Sequence, residues 1–302
     1  MKTLFTLAIA FMTVALTAQT YQDVIKDGHK AYNAKKYAEA AAHYQEAVSL
    51  TSVPAEKSFA LYYQARALYL QKKFDEADEK FGEVVKIGSA DKTKLIDSLY
   101  YLYVHQSKKK NYAEALALMK KIEQTDGKHW VKDDAKLYQA MILIDMKQYA
   151  EAEKLLLEIA GDKKQSLKRQ TNANYYLGTV SRLQKKYDEA MRYYGKVLSS
   201  PESTPDKIYY AHTFRADILI KEKKYDAALA EYEKIQSVPK MSPNFIANSF
   251  AMCANCQYYH KKDIVKAKEA IDRAQNVKGA TWGKNPGIKK FLDAEFEKRK
   301  KK

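Results

Sequence analysis

The sequence predicts an all-α protein built as a stack of helical hairpins, and three observations predict it. A short phrase of lysines, an aromatic residue, an acidic residue and alanine returns along the 302-residue chain at a nearly constant interval. Within each interval, apolar and small residues recur at helical spacing. Prolines and several glycines fall between the proposed helices. In such an array each unit buries its apolar face only against its neighbours.

The recurring phrase supplies the clearest measure of the repeat. Its aromatic position is occupied by Tyr37, Phe74, Tyr112, Tyr149, Tyr187, Tyr225 and, in a degraded last copy, Ile264. Successive copies lie 37, 38, 37, 38, 38 and 39 residues apart. A period in this range is typical of solenoid proteins. We therefore expect one elongated array of seven units, with a continuous core and a long surface for binding.

Each interval holds two helices. In the fifth unit, the first helix is marked by Tyr176, Leu177, Val180 and Leu183, and the second by Ala190, Tyr193, Tyr194, Val197 and Leu198. The six prolines, none inside a proposed helix, are Pro54, Pro201, Pro205, Pro239, Pro243 and Pro286. A proline inside a helix costs about 3 kcal/mol. The glycines that follow second helices, as C-terminal caps do, are Gly88, Gly127, Gly161 and Gly279.

This pattern resembles the tetratricopeptide repeat (TPR) family. The family places a small residue in the first helix, an aromatic residue at the turn and alanine three positions later. The small-residue position reads Gly28, Ala65, Tyr103, Ala140, Gly178, Ala216 and Asn255. The resemblance covers residues 21 to 277, with a longer period than the usual 34 and a large Tyr103 in a small-residue position. It implies a right-handed superhelical solenoid of about seven hairpins over residues 19–277.

The resemblance also implies a binding groove, because the inner face of the first helices lines a concave surface in this family. The positions carried across are Phe59, Tyr62, Arg66, Tyr69, Tyr100, Tyr175, Arg182, Tyr210 and Tyr259. Tyrosine and arginine are enriched at binding hot spots. The alternative is a tyrosine face that packs on neighbouring helices or lies in water, and the sequence leaves both open.

The first eighteen residues lie outside the repeat and have the pattern of a signal peptide. Lys2 precedes an apolar run over residues 4–16, and Ala18 is followed by Gln19. The run is too short for a spanning helix, and Leu16 is bulkier than a good cleavage site prefers. We expect an exported protein, periplasmic or extracellular, that begins near Gln19; an uncleaved N-terminal anchor is the alternative.

The last 25 residues, 278–302, follow the array and contain a predicted capping helix and a basic tail. Apolar residues at helical spacing, which would cover the open end of the seventh unit, are Ile288, Phe291, Leu292 and Phe296. The tail Lys298-Arg299-Lys300-Lys301-Lys302 adds to a net charge of +16. The repeated lysine pairs precede the turns, where they complement helix dipoles.

No pattern in the sequence favours an enzyme, a metal site or a cofactor. Cys253 and Cys256 lack the histidine of a haem motif and a second pair for zinc, so packed thiols are favoured and a disulfide stays open. The six histidines, none paired at ligand spacing, are His29, His43, His105, His129, His212 and His260. There is no phosphate-binding glycine loop or nucleophile elbow.

Two functions from different classes remain. The favoured one is a non-enzymatic scaffold that binds a protein or peptide in the groove of an exported array and helps to assemble an envelope complex. It would bind no nucleic acid and associate with the envelope only peripherally. The alternative is a binder of anionic polymer, a glycan or phosphate-rich surface, through the lysines and the tail. Salt separates them, because charge-driven polymer binding weakens steeply as salt rises.

Overall fold

The computed structural model describes residues 19–89 and 91–281, together with Ala294, Glu297 and Lys298. Over this part it contains fourteen α-helices, one π-helix and no strand, which confirms the all-helical prediction. The α-helices are α1 Tyr21–Asn33, α2 Tyr37–Ser49, α3 Pro54–Leu70, α4 Phe74–Ile87, α5 Lys92–Lys108, α6 Tyr112–Gln124, α7 Trp130–Asp145, α8 Tyr149–Gly161, α9 Leu167–Leu183, α10 Tyr187–Leu198, α11 Pro205–Lys221, α12 Tyr225–Gln236, α13 Pro243–Asn255 and α14 Ile264–Gln275. The π-helix, Cys256–Lys261, continues α13.

Two expectations fall on residues that are not described. The signal peptide, residues 1–18, lies outside the described residues. The same holds for most of the proposed capping helix, of which only Ala294, Glu297 and Lys298 are described, as helical. Within the described part, no helix combines the length and the apolar character needed to cross a bilayer.

The chain divides after Val131 into two compact units. In the N-terminal unit, α1 packs on α2, α2 on α3, α3 on α4, α4 on α5 and α5 on α6. In the C-terminal unit, the same consecutive packing runs from α8 to α14. Sequential packing of this kind is expected when each hairpin buries its apolar face against the next one.

Glycine in the first helix lets the second helix approach closely in two hairpins. A β-carbon at Gly28 would lie 2.8 Å from the Tyr44 ring, and one at Gly178 would lie 2.7 Å from the Tyr194 ring. Both tyrosines are fully buried. The third hairpin carries a large residue in the same position, Tyr103, and both it and Met119, sixteen residues later, are buried. Met119 replaces the tyrosine of the Gly28 and Gly178 hairpins with a narrower, flexible side chain, which leaves room for Tyr103 in the core.

The turn inside each hairpin places a lysine in the left-handed region. The seven lysines, with φ between 58° and 64°, are Lys35, Lys72, Lys110, Lys147, Lys185, Lys223 and Lys262. In the first turn the next amide, of Lys36, donates to the carbonyl of Ala31 at 2.9 Å and closes the helix end. A side chain in this region costs about 1–2 kcal/mol relative to glycine. Helix dipoles alone do not predict this strain.

The π-helix corrects the register of the seventh hairpin. The sequence comparison placed Asn255 in the small-residue position, but Asn255 is exposed whereas Ala254 is 2% exposed and packs in the core. Ala254 lies 38 residues after Ala216, in step with the earlier repeats. The π-helix inserts the one extra residue between Ala254 and the turn, so the last interval is 39 residues.

Candidate functional site

The first helices of the N-terminal unit bring aromatic, cationic and acidic side chains together. We name this group the N-terminal cluster. Its members are Phe59, Tyr62, Arg66, Lys94, Asp97, Tyr100, His129 and Trp130. They come from α3, α5 and the start of α7. Because the repeat period is nearly constant, Phe59 and Asp97 occupy the same position in consecutive first helices, 38 residues apart.

A chain of hydrogen bonds orders the centre of the N-terminal cluster. The Tyr62 hydroxyl donates to Oδ2 of Asp97 at 2.7 Å, and Nε2 of His129 lies 3.1 Å from Oδ1 of the same carboxylate. Burial and the bond to Asp97 raise the pKa of the Tyr62 phenol. The phenol therefore stays protonated and donates. Both carboxylate oxygens have a partner, so Asp97 fixes Tyr62 and His129 relative to one another.

Two cations lie over the aromatic rings of the N-terminal cluster. The Arg66 guanidinium carbon is 5.7 Å from the Tyr62 centroid and 5.6 Å from that of Tyr32. The Lys94 nitrogen is 5.1 Å from the Phe59 centroid and 5.9 Å from that of Tyr62. Cation–π contacts of this length are attractive by about 0.5–2 kcal/mol each. They hold long side chains in place beside the buried phenol.

The edge of the N-terminal cluster is apolar and open to solvent. Trp130 is 55% exposed, and its ring packs edge-on against Tyr100 at 5.2 Å. On its other side the Trp130 ring lies 5.8 Å from the His129 ring. An exposed indole supported by an ordered network has the character of a binding hot spot, because little side-chain freedom is left to lose on binding.

In the C-terminal unit, three of the predicted groove residues converge on Phe214. The Arg182 guanidinium carbon lies 4.3 Å from the Phe214 centroid. Tyr210 stacks on the same ring at 6.0 Å, and Tyr175 lies 6.5 Å from it. Tyr210 is 40% exposed and Tyr175 is half-buried. This arrangement gives the C-terminal unit a second aromatic and cationic surface.

A separate cavity of about 530 Å³ lies between α11, α12, α13 and the π-helix. Its walls include Asp217, Tyr232 and Tyr259. The Tyr232 hydroxyl donates to Oδ1 of Asp217 at 3.2 Å. Burial raises the pKa of the Asp217 carboxyl above its ordinary value. Tyr259, the last of the predicted groove residues, is 57% exposed and lies on the wall of this cavity.

Two predicted groove residues are more enclosed than the others. Tyr62 is 4% exposed, so it supports the N-terminal cluster from below its surface. Tyr69 packs between the rings of Phe74 and Tyr101, at 5.1 and 4.8 Å, against the core of the N-terminal unit. Phe59, Arg66 and Tyr100 are partly exposed.

The predicted groove residues did not include the aspartates Asp97 and Asp217. Asp97 occupies the position of Phe59, and Asp217 occupies the position of Arg66, in later repeats. The repeat period therefore places both aspartates on the predicted groove face, but the prediction included only aromatic residues and arginine. His129 and Trp130 had no such signal, because they lie where α7 begins rather than at a repeated position.

The two cysteines are free and buried. Burial raises the pKa of the Cys253 thiol to about 12 and also raises that of Cys256. Neither is a thiolate at neutral pH, as expected for small thiols packed in an apolar interior. Among the residues with described positions, no group of three histidine, cysteine, aspartate or glutamate side chains is arranged to hold a metal ion.

Stacked hairpins with aromatic and charged first-helix faces define a helical-repeat protein. Two segments match tetratricopeptide repeat family models, residues 26–91 and 172–203. These two segments therefore contain tetratricopeptide repeats, and the helical hairpins of the other described residues continue the same pattern. No curated protein matches it in sequence.

Solved structures of the same fold include three informative neighbours. A tetratricopeptide repeat protein from Parabacteroides merdae is 16% identical, with 91% of this chain and 97% of that one covered and a TM-score of 0.59. The C-terminal part of a TPR repeat-containing protein from Cytophaga hutchinsonii is 17% identical, with coverage of 84% and 95% and a TM-score of 0.62. YrrB, described as a TPR protein with an unusual peptide-binding site, is 16% identical, with coverage of 64% and 93% and a TM-score of 0.50. At these identities the likeness concerns the fold.

Proposed function

We propose that this protein is an exported, non-enzymatic scaffold that binds a protein or peptide segment along the first-helix faces and helps to assemble an envelope complex. The observation that carries the proposal is the exposed Tyr100–Trp130 pair beside the ordered Tyr62–Asp97–His129 chain. Large aromatic anchors on a rigid support are what a protein partner uses as hot spots. Export is supported by the sequence pattern of residues 1–18 alone.

The tetratricopeptide repeats matched at residues 26–91 and 172–203 support the protein-binding part of the proposal, because this fold serves as an interaction scaffold. The peptide-binding site named for YrrB is a property of that protein. It makes a peptide a reasonable first ligand to test here.

The decisive experiment compares partner capture by two variants of the N-terminal unit. The double variant Tyr100→Ala, Trp130→Ala removes the exposed aromatic edge and leaves the buried Tyr62 in place. Since a hot-spot aromatic contributes about 2 kcal/mol or more, capture from envelope extract should fall at least about thirtyfold, with helicity by circular dichroism unchanged. Leu50→Ala is the matched control, because Leu50 is 45% exposed at the end of α2 and outside the cluster.

The outcome that would reject the proposal is equal capture by the double variant and by wild type. Replacement of Tyr62 or Tyr69 is a poorer test, because both pack against the interior of the unit and their loss would also lower stability. Export is tested separately by N-terminal sequencing of the secreted or periplasmic protein, where a sequence that starts near Gln19 is expected and Met1 is not.

Binding of an anionic polymer is the second candidate, and one observation favours it. Six left-handed turn lysines have no ion pair among the described residues, although glycine would be less strained there: Lys35, Lys72, Lys110, Lys147, Lys185 and Lys223. The second lysine of several pairs does form one, as Lys36 does with Glu39 and Lys73 with Glu76. Lys72→Gln, Lys73→Gln, Lys185→Gln, Lys186→Gln should hardly affect protein capture. A large loss of capture in this variant, together with loss of capture by wild type at moderate salt, would favour the polymer.

A further inference from the structure

The cavity of the C-terminal unit combines one carboxylate with aromatic and apolar walls. Asp217 and Ile220 come from α11, Tyr232 from α12, Met252 from α13 and Tyr259 from the π-helix. The volume, about 530 Å³, is ample for one long side chain. None of these residues belongs to the N-terminal cluster, and the cavity has no part in the test with Tyr100 and Trp130.

The carboxylate in this cavity makes one hydrogen bond to a side chain of the described residues. Oδ1 of Asp217 accepts the Tyr232 hydroxyl, and no cation of the described residues forms an ion pair with the carboxylate. Burial raises its pKa, and the charges of Arg182 and Lys221, which act without an ion pair, do not offset this. A desolvated carboxylate is unfavourable unless a cation or a hydrogen-bond donor reaches it. The free oxygen therefore provides a place for a donor that carries positive charge.

The π-helix determines which side chains form the mouth of the cavity. One inserted residue turns the following side chains by about 100° relative to an uninterrupted α-helix. With this insertion, the exposed Tyr259 lies on the cavity wall and its neighbour Tyr258 packs against the core. π-Bulges inside helices are found frequently at functional sites. Here the bulge adds an exposed aromatic side chain to the wall of the cavity that Asp217 also lines.

We propose that this cavity binds a lysine or arginine side chain of the protein partner, with its charged head on Asp217 and its stem along Ile220, Met252 and Tyr259. The inference rests on the proposed function and names the partner chemistry at one point of the surface. Lysine and arginine match the cavity because they carry an apolar stem and a charged head. A tyrosine face adds cation–π attraction. The net charge of +16 disfavours cations at long range, but charges beyond about 8–10 Å are screened at physiological salt.

The test uses two small probes that differ only in charge. N-acetyl-lysine N-methylamide and N-acetyl-norleucine N-methylamide have similar stems, and only the first carries an ammonium group. The probes are titrated into protein labelled with ¹³C at the methionine methyl groups, with the Met252 resonance identified from Met252→Leu. We expect the lysine probe to shift the Met252 signal with half-saturation at least tenfold below that of the norleucine probe. The arginine analogue should behave like lysine.

Asp217→Asn is the decisive variant, because the amide oxygen still accepts the Tyr232 hydroxyl while the negative charge is lost. It should bring the lysine probe to the half-saturation of norleucine. Asp188→Asn is the matched control, since it removes one exposed negative charge from the same unit at the start of α10. If Asp217→Asn does not fold, Tyr259→Leu replaces it, and at least threefold weaker binding of the lysine probe is expected.

Three results would overturn this inference: equal half-saturation of the lysine and norleucine probes, unchanged lysine binding in Asp217→Asn, or an equal loss in Asp188→Asn. Failure of the proposed function has a different signature. One case is that the partner is captured through Tyr100 and Trp130, but Asp217→Asn changes neither the affinity for the partner nor the half-saturation of the lysine probe. In that case only the cavity assignment fails. If the lysine probe binds as expected and no protein partner is captured, the cavity assignment stands and the scaffold function fails.

Discussion

The two units surround a half-buried aspartate in different ways. In the N-terminal unit, Asp97 accepts from Tyr62 at 2.7 Å and has His129 at 3.1 Å on its other oxygen. In the C-terminal unit, Asp217 has only the Tyr232 hydroxyl, at 3.2 Å. The first carboxylate is part of a complete network that supports an exposed aromatic edge. The second is incomplete and faces a cavity.

A third carboxylate, Glu231, shows that a small number of hydrogen-bond partners is not a general property of carboxylates in the C-terminal unit. Glu231, on α12, is 4% exposed and accepts from His212 at 2.7 Å, Arg215 at 3.1 and 3.2 Å and Lys234 at 3.0 Å. Although burial raises its pKa, the hydrogen bonds from His212 and Lys234 and the charge of Arg215 outweigh burial and lower the pKa to about 2. The same unit thus completes the network around a buried carboxylate that does not line the cavity of Asp217.

The largest expected effect is on the network around Glu231. Glu231→Gln should lower the free energy of unfolding at pH 7 by about 3 kcal/mol, because it removes the buried negative charge that His212, Arg215 and Lys234 stabilise. Urea denaturation followed by circular dichroism measures this. Glu233→Gln, an exposed neighbour on α12, is the control and should change the free energy by less than about 0.5 kcal/mol.

The pH dependence of stability should show the opposite signs of Glu231 and Asp217. The folded pKa of Glu231, about 2, lies below its ordinary value of 4.5. Its stabilisation is therefore complete above pH 4.5 and is lost as pH falls from 4.5 towards 2, for a total of about 3 kcal/mol at 1.36 kcal/mol per unit. The free energy of unfolding, measured by urea denaturation between pH 7 and 2.5, should fall less steeply with pH below 4.5 for Glu231→Gln than for wild type. Equal slopes would contradict this assignment.

The next effect concerns the complete network of the N-terminal unit. Asp97→Ala should destabilise the protein by about 2 kcal/mol, since it leaves the buried Tyr62 hydroxyl and the His129 ring without their partner. Asp97→Asn keeps an acceptor for Tyr62 and should cost less. Equal stability of wild type and Asp97→Ala in urea denaturation would mean that the network does not support the aromatic edge.

The smallest effect is expected at the incomplete carboxylate. Because the pKa of Asp217 is raised, its ionisation disfavours the folded state, and this penalty grows as pH rises from 3.8 through the raised value. Asp217→Asn should therefore leave the free energy of unfolding at pH 7 unchanged or raise it by up to about 1 kcal/mol. A clear loss of stability would show that Asp217 belongs to the structural core, and the contrast with Asp97 would disappear.

Much of the candidate site was present in the sequence, because a fixed period assigns each residue of a first helix to a face. Phe59, Arg66 and Tyr100 were selected in this way and are partly exposed beside one another. The same arithmetic would have selected Asp97 and Asp217. It does not reveal that Tyr62 is covered or that Tyr69 is held between two rings, since both depend on side chains from the next hairpin.

The sequence by itself determined the helical hairpins, their number, the turns and the pairing of small with large residues, because these depend on neighbours within about forty residues and recur with the period. The tertiary structure decided the left-handed conformation of the turn lysines, the register shift at Ala254 and the partners of Asp97 and Asp217. The partners of Asp97 lie more than thirty residues away on neighbouring hairpins, whereas Tyr232 lies fifteen residues after Asp217 and reaches it across one hairpin. A periodic pattern specifies the face of a helix, whereas packing between hairpins specifies which polar atoms on that face find a partner.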